Sequence, residues 1–223
     1  MHQAKKTEKE EKIIRAAEAV FGQVGFKNAK MEDIAQEAGI TKVTLYSYFR
    51  SKENLYLAVT YKALLLLIEH YSQSVEATKH KKGIDAVIAL LETYMRFCES
   101  NYLYSETILE YFALTRAASA GTDQSWLTEA VKQSSYFEKL RQIQNLPFKM
   151  TVKEIERGKA DGSIVSDLDP MLTTLLGWTM VLGYSKIISA SGTNVTPLFN
   201  VSLSALKVVN MQLARHLFQT SHL

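Results

Sequence analysis

Residues 31–56 read MEDIAQEAGITKVTLYSYFRSKENLY, and their spacing specifies the local fold. Two short segments with helical apolar spacing, 31–38 and 42–49, flank Gly39-Ile40-Thr41. A glycine stops a helix and a threonine starts one. Thr41 is placed to cap the second segment by accepting a bond from an orphan N–H. Two short helices joined by a glycine-containing turn, with a longer helix before them, make a helix-turn-helix, whose second member can lie in the major groove of DNA. Ile34, Ala35, Ala38, Ile40, Leu45, Phe49 and Leu55 have the spacing of core residues and carry no chemistry.

The side chains fit that use. No acidic residue occurs from Ala38 to Lys52, while Lys42, Arg50 and Lys52 are basic and Thr41, Thr44, Tyr46, Ser47 and Tyr48 offer hydrogen-bonding groups. Over the whole chain the charge says little, because 26 basic residues against 23 acidic ones leave a net +3. An excess so slight names no polyanionic partner.

The same residues carry a resemblance. Asp33-Ile34-Ala35, Ala38-Gly39-Ile40-Thr41, Thr44-Leu45-Tyr46-Ser47-Tyr48-Phe49 and Lys52-Glu53-Asn54-Leu55, with Gly22 and Gly25-Phe26 upstream, resemble the DNA-binding domain of the TetR-type transcriptional regulators. The resemblance covers about residues 11–56 and implies a DNA-binding domain over 1–56. A helical regulatory and dimerisation domain would follow over 57–223. It also implies that Thr41, Lys42, Val43, Thr44 and Ser47 lie at the DNA, with Lys42, Val43 and Thr44 facing base edges, and that Tyr46, Tyr48 and Lys52 contact phosphates. Elementary chemistry agrees: Lys42 can reach a guanine acceptor or a phosphate, and Val43 and the Thr44 methyl suit a thymine methyl. The family often has glycine where Val43 stands, and Glu32 would repel phosphate from the second helix. The implied partners are palindromic operator DNA, a second copy of the chain and a small-molecule effector, with repression as the family's usual outcome.

Outward from this stretch the chain reads as all-α. Only 3 Pro and 10 Gly occur in 223 residues, too few for the turns of a sandwich or barrel, and 47% hydrophobic with 22% charged residues is a globular balance. A first helix runs from about 7 to 24 and stops at Gly25. Ser51 caps a long fourth helix to about 79, with Glu53 in its first turn, where the dipole favours a negative charge. Further helices are expected at 84–98, 102–118 and 125–158, the last broken or kinked at Pro147. Gly39, Gly83, Gly121, Gly162 and Gly192 fall at segment ends, and Asp169-Pro170 and Thr196-Pro197 begin the final two helices.

Those two helices are the expected dimer seam, through Leu172, Leu176, Gly183 and Ile187 on one and Phe199, Leu203, Leu206, Leu213 and Leu217 on the other. A pocket for a largely hydrophobic effector is expected from Met95, Cys98, Tyr102, Glu106, Tyr111, Phe112, Phe137, Trp178 and Tyr184. With Cys98 the one cysteine, no intrachain disulfide is possible, and a reducing compartment is the expectation. A start rich in Lys and Glu, with no apolar run, gives the expectation of a cytoplasmic protein without a membrane span. No cofactor, metal or enzymatic motif assembles: there is no glycine-rich phosphate loop, no G-x-S-x-G and no metal spacing among the five histidines. An all-α enzyme is the alternative from another class, and a DNA-binding regulator answering to a protein partner is a third.

Overall fold

Helix α1 (His2–Asn28) leaves helical geometry at Gly25, where φ is 75° and ψ 158°. A side chain strains that conformation, so the expected stop at Gly25 is where the long helix breaks, one turn short of its end. The computed structural model describes residues 2–122, 125–191 and 201–221. Among them the chain is all helix, with no strands.

α2 (Met31–Glu37) and α3 (Lys42–Tyr48) follow, seven residues each. At Gly39 φ is 62°, and Ile40 N–H returns to Ala35 O at 3.0 Å, closing the turn between them. α4 (Lys52–Thr78) starts as expected from Ser51, whose hydroxyl accepts from Asn54 N–H at 3.2 Å. α5 (Gly83–Ser100) and α6 (Tyr102–Ser119) fall where the periodicity puts them. Residues 125–158 are not one long helix bent at Pro147 but three: α7 (Glu129–Lys132), α8 (Ser135–Ile143) and α9 (Leu146–Ala160). Pro147 lies in the first turn of α9, where its missing N–H has no partner to lose. α10 (Pro170–Ser191) begins at Asp169, whose carboxylate accepts from Met171 and Leu172 N–H at 2.8 and 3.0 Å. Gly192 and the start expected at Thr196-Pro197 lie outside the described residues; α11 (Leu203–Phe218) begins after Ser202, whose hydroxyl accepts from Ala205 N–H at 3.0 Å.

Packing divides the chain into two units, 1–65 with 103–144, and 66–102 with 145–223. The first contains the expected DNA-binding residues 1–56 and also takes α6, α7 and α8. Ile13, Ala17 and Phe21 of α1, Ile34 and Ala35 of α2, Leu45 of α3, Phe49, and Leu55 and Val59 of α4 make its core. Ile40 packs against that core only partly buried, unlike the other expected core positions. Three tyrosines tie the later helices on. Tyr104 of α6 donates to Glu18 at 2.7 Å, Tyr136 of α8 to Glu10 at 2.8 Å, and Tyr56 of α4 to Glu110 of α6 at 2.8 Å.

In the second unit α5 packs on α9, α10 and α11. Gly83 does not stop a helix. It opens α5 against Gly158 of α9, and a Cβ at Gly83 would run into the Gly158 backbone. The N-cap Lys82 gives α5 no side-chain cap, so the orphan donors turn to the loop after α9: Gly83 N–H donates to Asp161 at 2.7 Å and Ile84 N–H to Ser163 at 3.1 Å. Hydrogen bonds from Ser163, then from the Gly83 amide, hold the Asp161 carboxyl below its ordinary range. A Cβ added at Gly177 would lie 3.0 Å from Leu91 of α5, so the glycine lets α10 approach α5 closely.

Two outcomes follow. Gly83→Ala forces two backbones apart and should cost about 1–3 kcal/mol in urea unfolding, while Gly22→Ala, facing open space on α1, should gain about 0.5–1 kcal/mol. Burial, ahead of any neighbouring charge, pushes the phenols of Tyr56, Tyr104 and Tyr136 up and that of Tyr111 from 10.0 to about 12. Folding favours the neutral phenol, so this stabilisation is complete below pH 10 and is lost as pH rises from 10 towards 12. Tyrosinate absorbance should lag that of the unfolded chain above pH 10 and catch up as helical circular dichroism is lost.

Candidate nucleic-acid interface

A seven-residue helix is too short to be stable alone, so the face that α3 shows is fixed by what it buries. Leu45 is fully buried, Phe49 follows it into the core, and Tyr48 packs against the same core half-buried. Thr41, Lys42, Val43, Tyr46 and Ser47 are left on the outer face. Val43 is 81% exposed, the most open of the large apolar side chains among the described residues.

Polar groups on this face are already arranged. Thr41 Oγ1 accepts from Thr44 N–H at 3.2 Å and lies 2.9 Å from the Thr44 hydroxyl, which makes Thr41 the N-cap the sequence requires. Ser47 donates to Thr44 O at 2.6 Å. Lys42 Nζ pairs with Glu32 of α2 and lies 5.8 Å from the centre of the Tyr46 ring. That hydrogen bond holds the Glu32 carboxyl below its ordinary range and raises the Lys42 ammonium above its own. Both partners are exposed, so solvent screens the pair and it adds little to stability. Its effect is on the ligand side: a phosphate approaching Lys42 must displace a carboxylate.

Lys52 stands elsewhere. Its Nζ donates to Phe26 O at 2.7 Å, Ala29 O at 3.0 Å and Lys27 O at 3.1 Å, rather than pointing outward as the expected phosphate contact requires. Arg50 donates to Gln133 at 2.9 Å. The sequence treats Glu32 only as a repelling charge, and neither Gln133 nor Phe26 is marked as a partner. No local pattern joins residues this far apart in the chain.

The nine expected pocket residues are divided between the two units. Tyr111, Phe112 and Phe137 belong to an aromatic cluster of the first unit built around Trp126, with Tyr111 to Trp126 at 6.2 Å and Trp126 to Phe137 at 5.9 Å; Glu106 is in the same unit. Met95, Cys98, Tyr102, Trp178 and Tyr184 belong to the second. There Met95 and Cys98 are core, Tyr184 donates to Glu99 at 2.6 Å, Trp178 Nε1 donates to Tyr94 at 3.4 Å, and Tyr102 is 51% exposed. A cavity of about 480 Å³ opens between α4 and α5, lined by residues such as His70, Ser74, Thr78, Thr93, Arg96 and Phe97 and by none of those nine.

The expected dimer residues divide between exposed and half-buried positions. On α10 Leu172 and Leu176 lie on an exposed apolar stripe with Met171 and Leu175, Gly183 is exposed and Ile187 half-buried. On α11 the outward stripe is Val208, Val209 and Leu213, while Leu203, Leu206 and Leu217 are half-buried beside the inward-facing Met211, Ala214 and Phe218. Phe199 lies outside the described residues.

Removing the competing carboxylate tests this geometry. Glu32→Gln should tighten binding to duplex DNA of arbitrary sequence several-fold and steepen its salt dependence by about 0.9, one added phosphate contact. An unchanged slope in a titration by fluorescence anisotropy would show that Lys42 does not reach phosphate.

Known proteins share this head. Residues 13–59 match the family described as bacterial regulatory proteins, tetR family. The HTH-type transcriptional regulator RutR of Escherichia coli K12 is 47% identical over 51 residues, 23% of this chain and 24% of that protein. The HTH-type transcriptional activator FasR of Mycolicibacterium smegmatis is 33% identical over 92 residues, 41% of each chain. This chain thus matches a quarter to two-fifths of the length of these curated relatives. The fold extends further: a TetR/AcrR-family regulator from Thermobifida fusca superposes with a TM-score of 0.68 at 17% identity, over 96% of this chain and all of the other. FadR of Bacillus subtilis, in complex with stearoyl-CoA, does so with a TM-score of 0.63 at 17% identity, over 92% of this chain and 97% of its own. Over residues 13–59 the chain is thus similar to the tetR family of bacterial regulatory proteins, and over most of its length it shares the fold of solved regulators of that type.

Proposed function

We propose that the chain is a homodimeric transcriptional repressor that sets two copies of α3 in major grooves of a palindromic operator and is released by a small molecule. The observation that carries this reading is the outer face of α3, a helix without acidic residues of its own that exposes Val43 beside Lys42, Thr44 and Tyr46. Base edges offer thymine methyls and acceptors to such a set. Thr41, Lys42, Val43, Thr44, Tyr46 and Ser47 are the residues placed at DNA, with Tyr48 holding the helix to its core.

The apolar stripes of α10 and α11 support the dimer. Leu172, Leu176, Val209 and Leu213 leave apolar surface open to water, a cost that a second copy covering it would remove. For the effector, the groove between α4 and α5 has a size in the range of ligand sites, with Phe97 and Ala89 as apolar floor and Arg96 and His70 at polar positions. That set fits an amphipathic molecule with an anionic end, more polar than the largely hydrophobic effector the sequence implies. An acyl thioester of coenzyme A, the ligand named in the FadR complex, has that character. The relative FasR is named an activator, so the sign of control rests on where the operator lies relative to a promoter.

Selection of bound duplexes from a random pool tests the core of this reading. A palindromic consensus with half-sites about 34–36 Å apart is expected, and recovery of no consensus would overturn it. Leu213→Glu should turn a dimer into a monomer in analytical ultracentrifugation and abolish binding to the full palindrome. A compound that raises the melting temperature and also frees the operator identifies the effector, whereas turnover of that compound would favour an enzyme.

A further inference from the structure

The ammonium of Lys52 has three protons, and each has a carbonyl oxygen: Phe26 O at 2.7 Å, Ala29 O at 3.0 Å and Lys27 O at 3.1 Å. The same nitrogen lies 4.6 Å from the centre of the Phe26 ring, on the face that attracts a cation. These acceptors have a common origin. The positive φ of Gly25 ends the regular ladder of α1, and Ala29 N–H turns back to Gly25 O at 3.1 Å. A helix end leaves its last carbonyls without partners and gathers the negative pole of the helix dipole. Lys30, next in the chain, starts α2 without a side-chain cap. The turn between α1 and α2 is thus bound to the start of α4 by one side chain reaching across more than twenty residues of sequence.

We propose that Lys52 is a positioning residue for DNA binding, which fastens the α1–α2 turn to the first turn of α4 and so fixes the angle at which α2 and α3 meet the duplex. It is not a phosphate contact. For a phosphate to take this ammonium, three carbonyls must lose their donor, two of them in part-buried bonds, and unpaired buried acceptors are costly. The proposal rests on the DNA-binding reading of the head, and the two fail separately.

Positioning and phosphate contact leave different marks. Phosphate contacts act on every sequence alike and set the salt dependence, whereas the angle of the recognition helix matters only where base edges are read. Lys52→Met keeps the alkyl stem and removes the three donors. Its affinity for the operator selected above, and for an unrelated duplex of equal length, should be measured from about 50 to 200 mM salt. The expected result is a loss of tenfold or more on the operator, no change on the unrelated duplex, and equal salt slopes for variant and native protein. Amide hydrogen exchange over residues 26–31 should rise in the DNA-free variant. An equal loss on both duplexes with a slope lower by about 0.9 would overturn the proposal, as would unchanged operator binding. If Lys52→Met does not fold, Lys52→Arg decides: a phosphate contact survives in the guanidinium, while a cradle of three carbonyls around an ammonium does not admit its planar fork. If the native protein selects no operator, the DNA-binding reading falls, and the exchange comparison alone still judges the fastening.

Discussion

Two helices of seven residues cannot hold themselves together, and the fold of the head follows from that constraint. Each is stabilised by what it buries against its longer neighbours: Ile34 and Ala35 from α2, Leu45 from α3 and Phe49 just after it, enclosed by Ile13, Ala17 and Phe21 of α1 and Leu55 and Val59 of α4. Because burial fixes the inner face, the outer face is determined as its complement. Val43, Tyr46 and Ser47 are presented together for the same reason that Leu45 and Phe49 are hidden. The proposed recognition surface is thus a by-product of core packing, and a core substitution acts on it as directly as one on the surface.

The same dependence extends along the chain. Glu18 of α1 accepts from Tyr104 of α6 and pairs with Lys62 of α4 at 2.8 Å, while Phe49 stacks on Tyr136 of α8 at 6.2 Å. The head is therefore not closed off at Tyr56. Two later helices, α6 and α8, pack against its core, and α4 is a continuous helix from the cap at Ser51 to the groove beside Thr78. In the second unit close packing has another basis, with backbone approaching backbone at Gly83 and Gly158, where no side chain fits.

The sequence made the head legible because its determinants are local. Thr41 caps three residues ahead, Ser51 does the same, Asp169 announces α10, and Gly25 breaks the helix where only glycine is unstrained. The site was legible only where a side chain's role depends on its own helix face: Val43 and Tyr46 point outward as spacing requires. Lys52, Glu32 and Arg50 were not, since the partners that occupy them come from other helices. Aromatic residues misled for a related reason. Tyr111 and Tyr184 have the composition of a pocket wall, yet close packing buries them as core, and the open groove is lined mainly by smaller polar residues of α4 and α5. On α11 both faces carry apolar residues, so periodicity alone could not separate the stripe of Val208, Val209 and Leu213 from the face that turns inward.

The pair between Glu32 and Lys42 has a consequence for how such a protein would find its target in a cell. A regulator spends its search among a vast excess of wrong sites, and its sticking to them is governed by free cations on the reading face. Under the proposed reading, a carboxylate carried on the neighbouring helix would act as an internal stand-in for phosphate and shorten each visit to a wrong sequence. Only a duplex that also satisfied Val43, Thr44 and Tyr46 would repay the displacement. The charge that looks misplaced there would trade strength of attachment for speed of search.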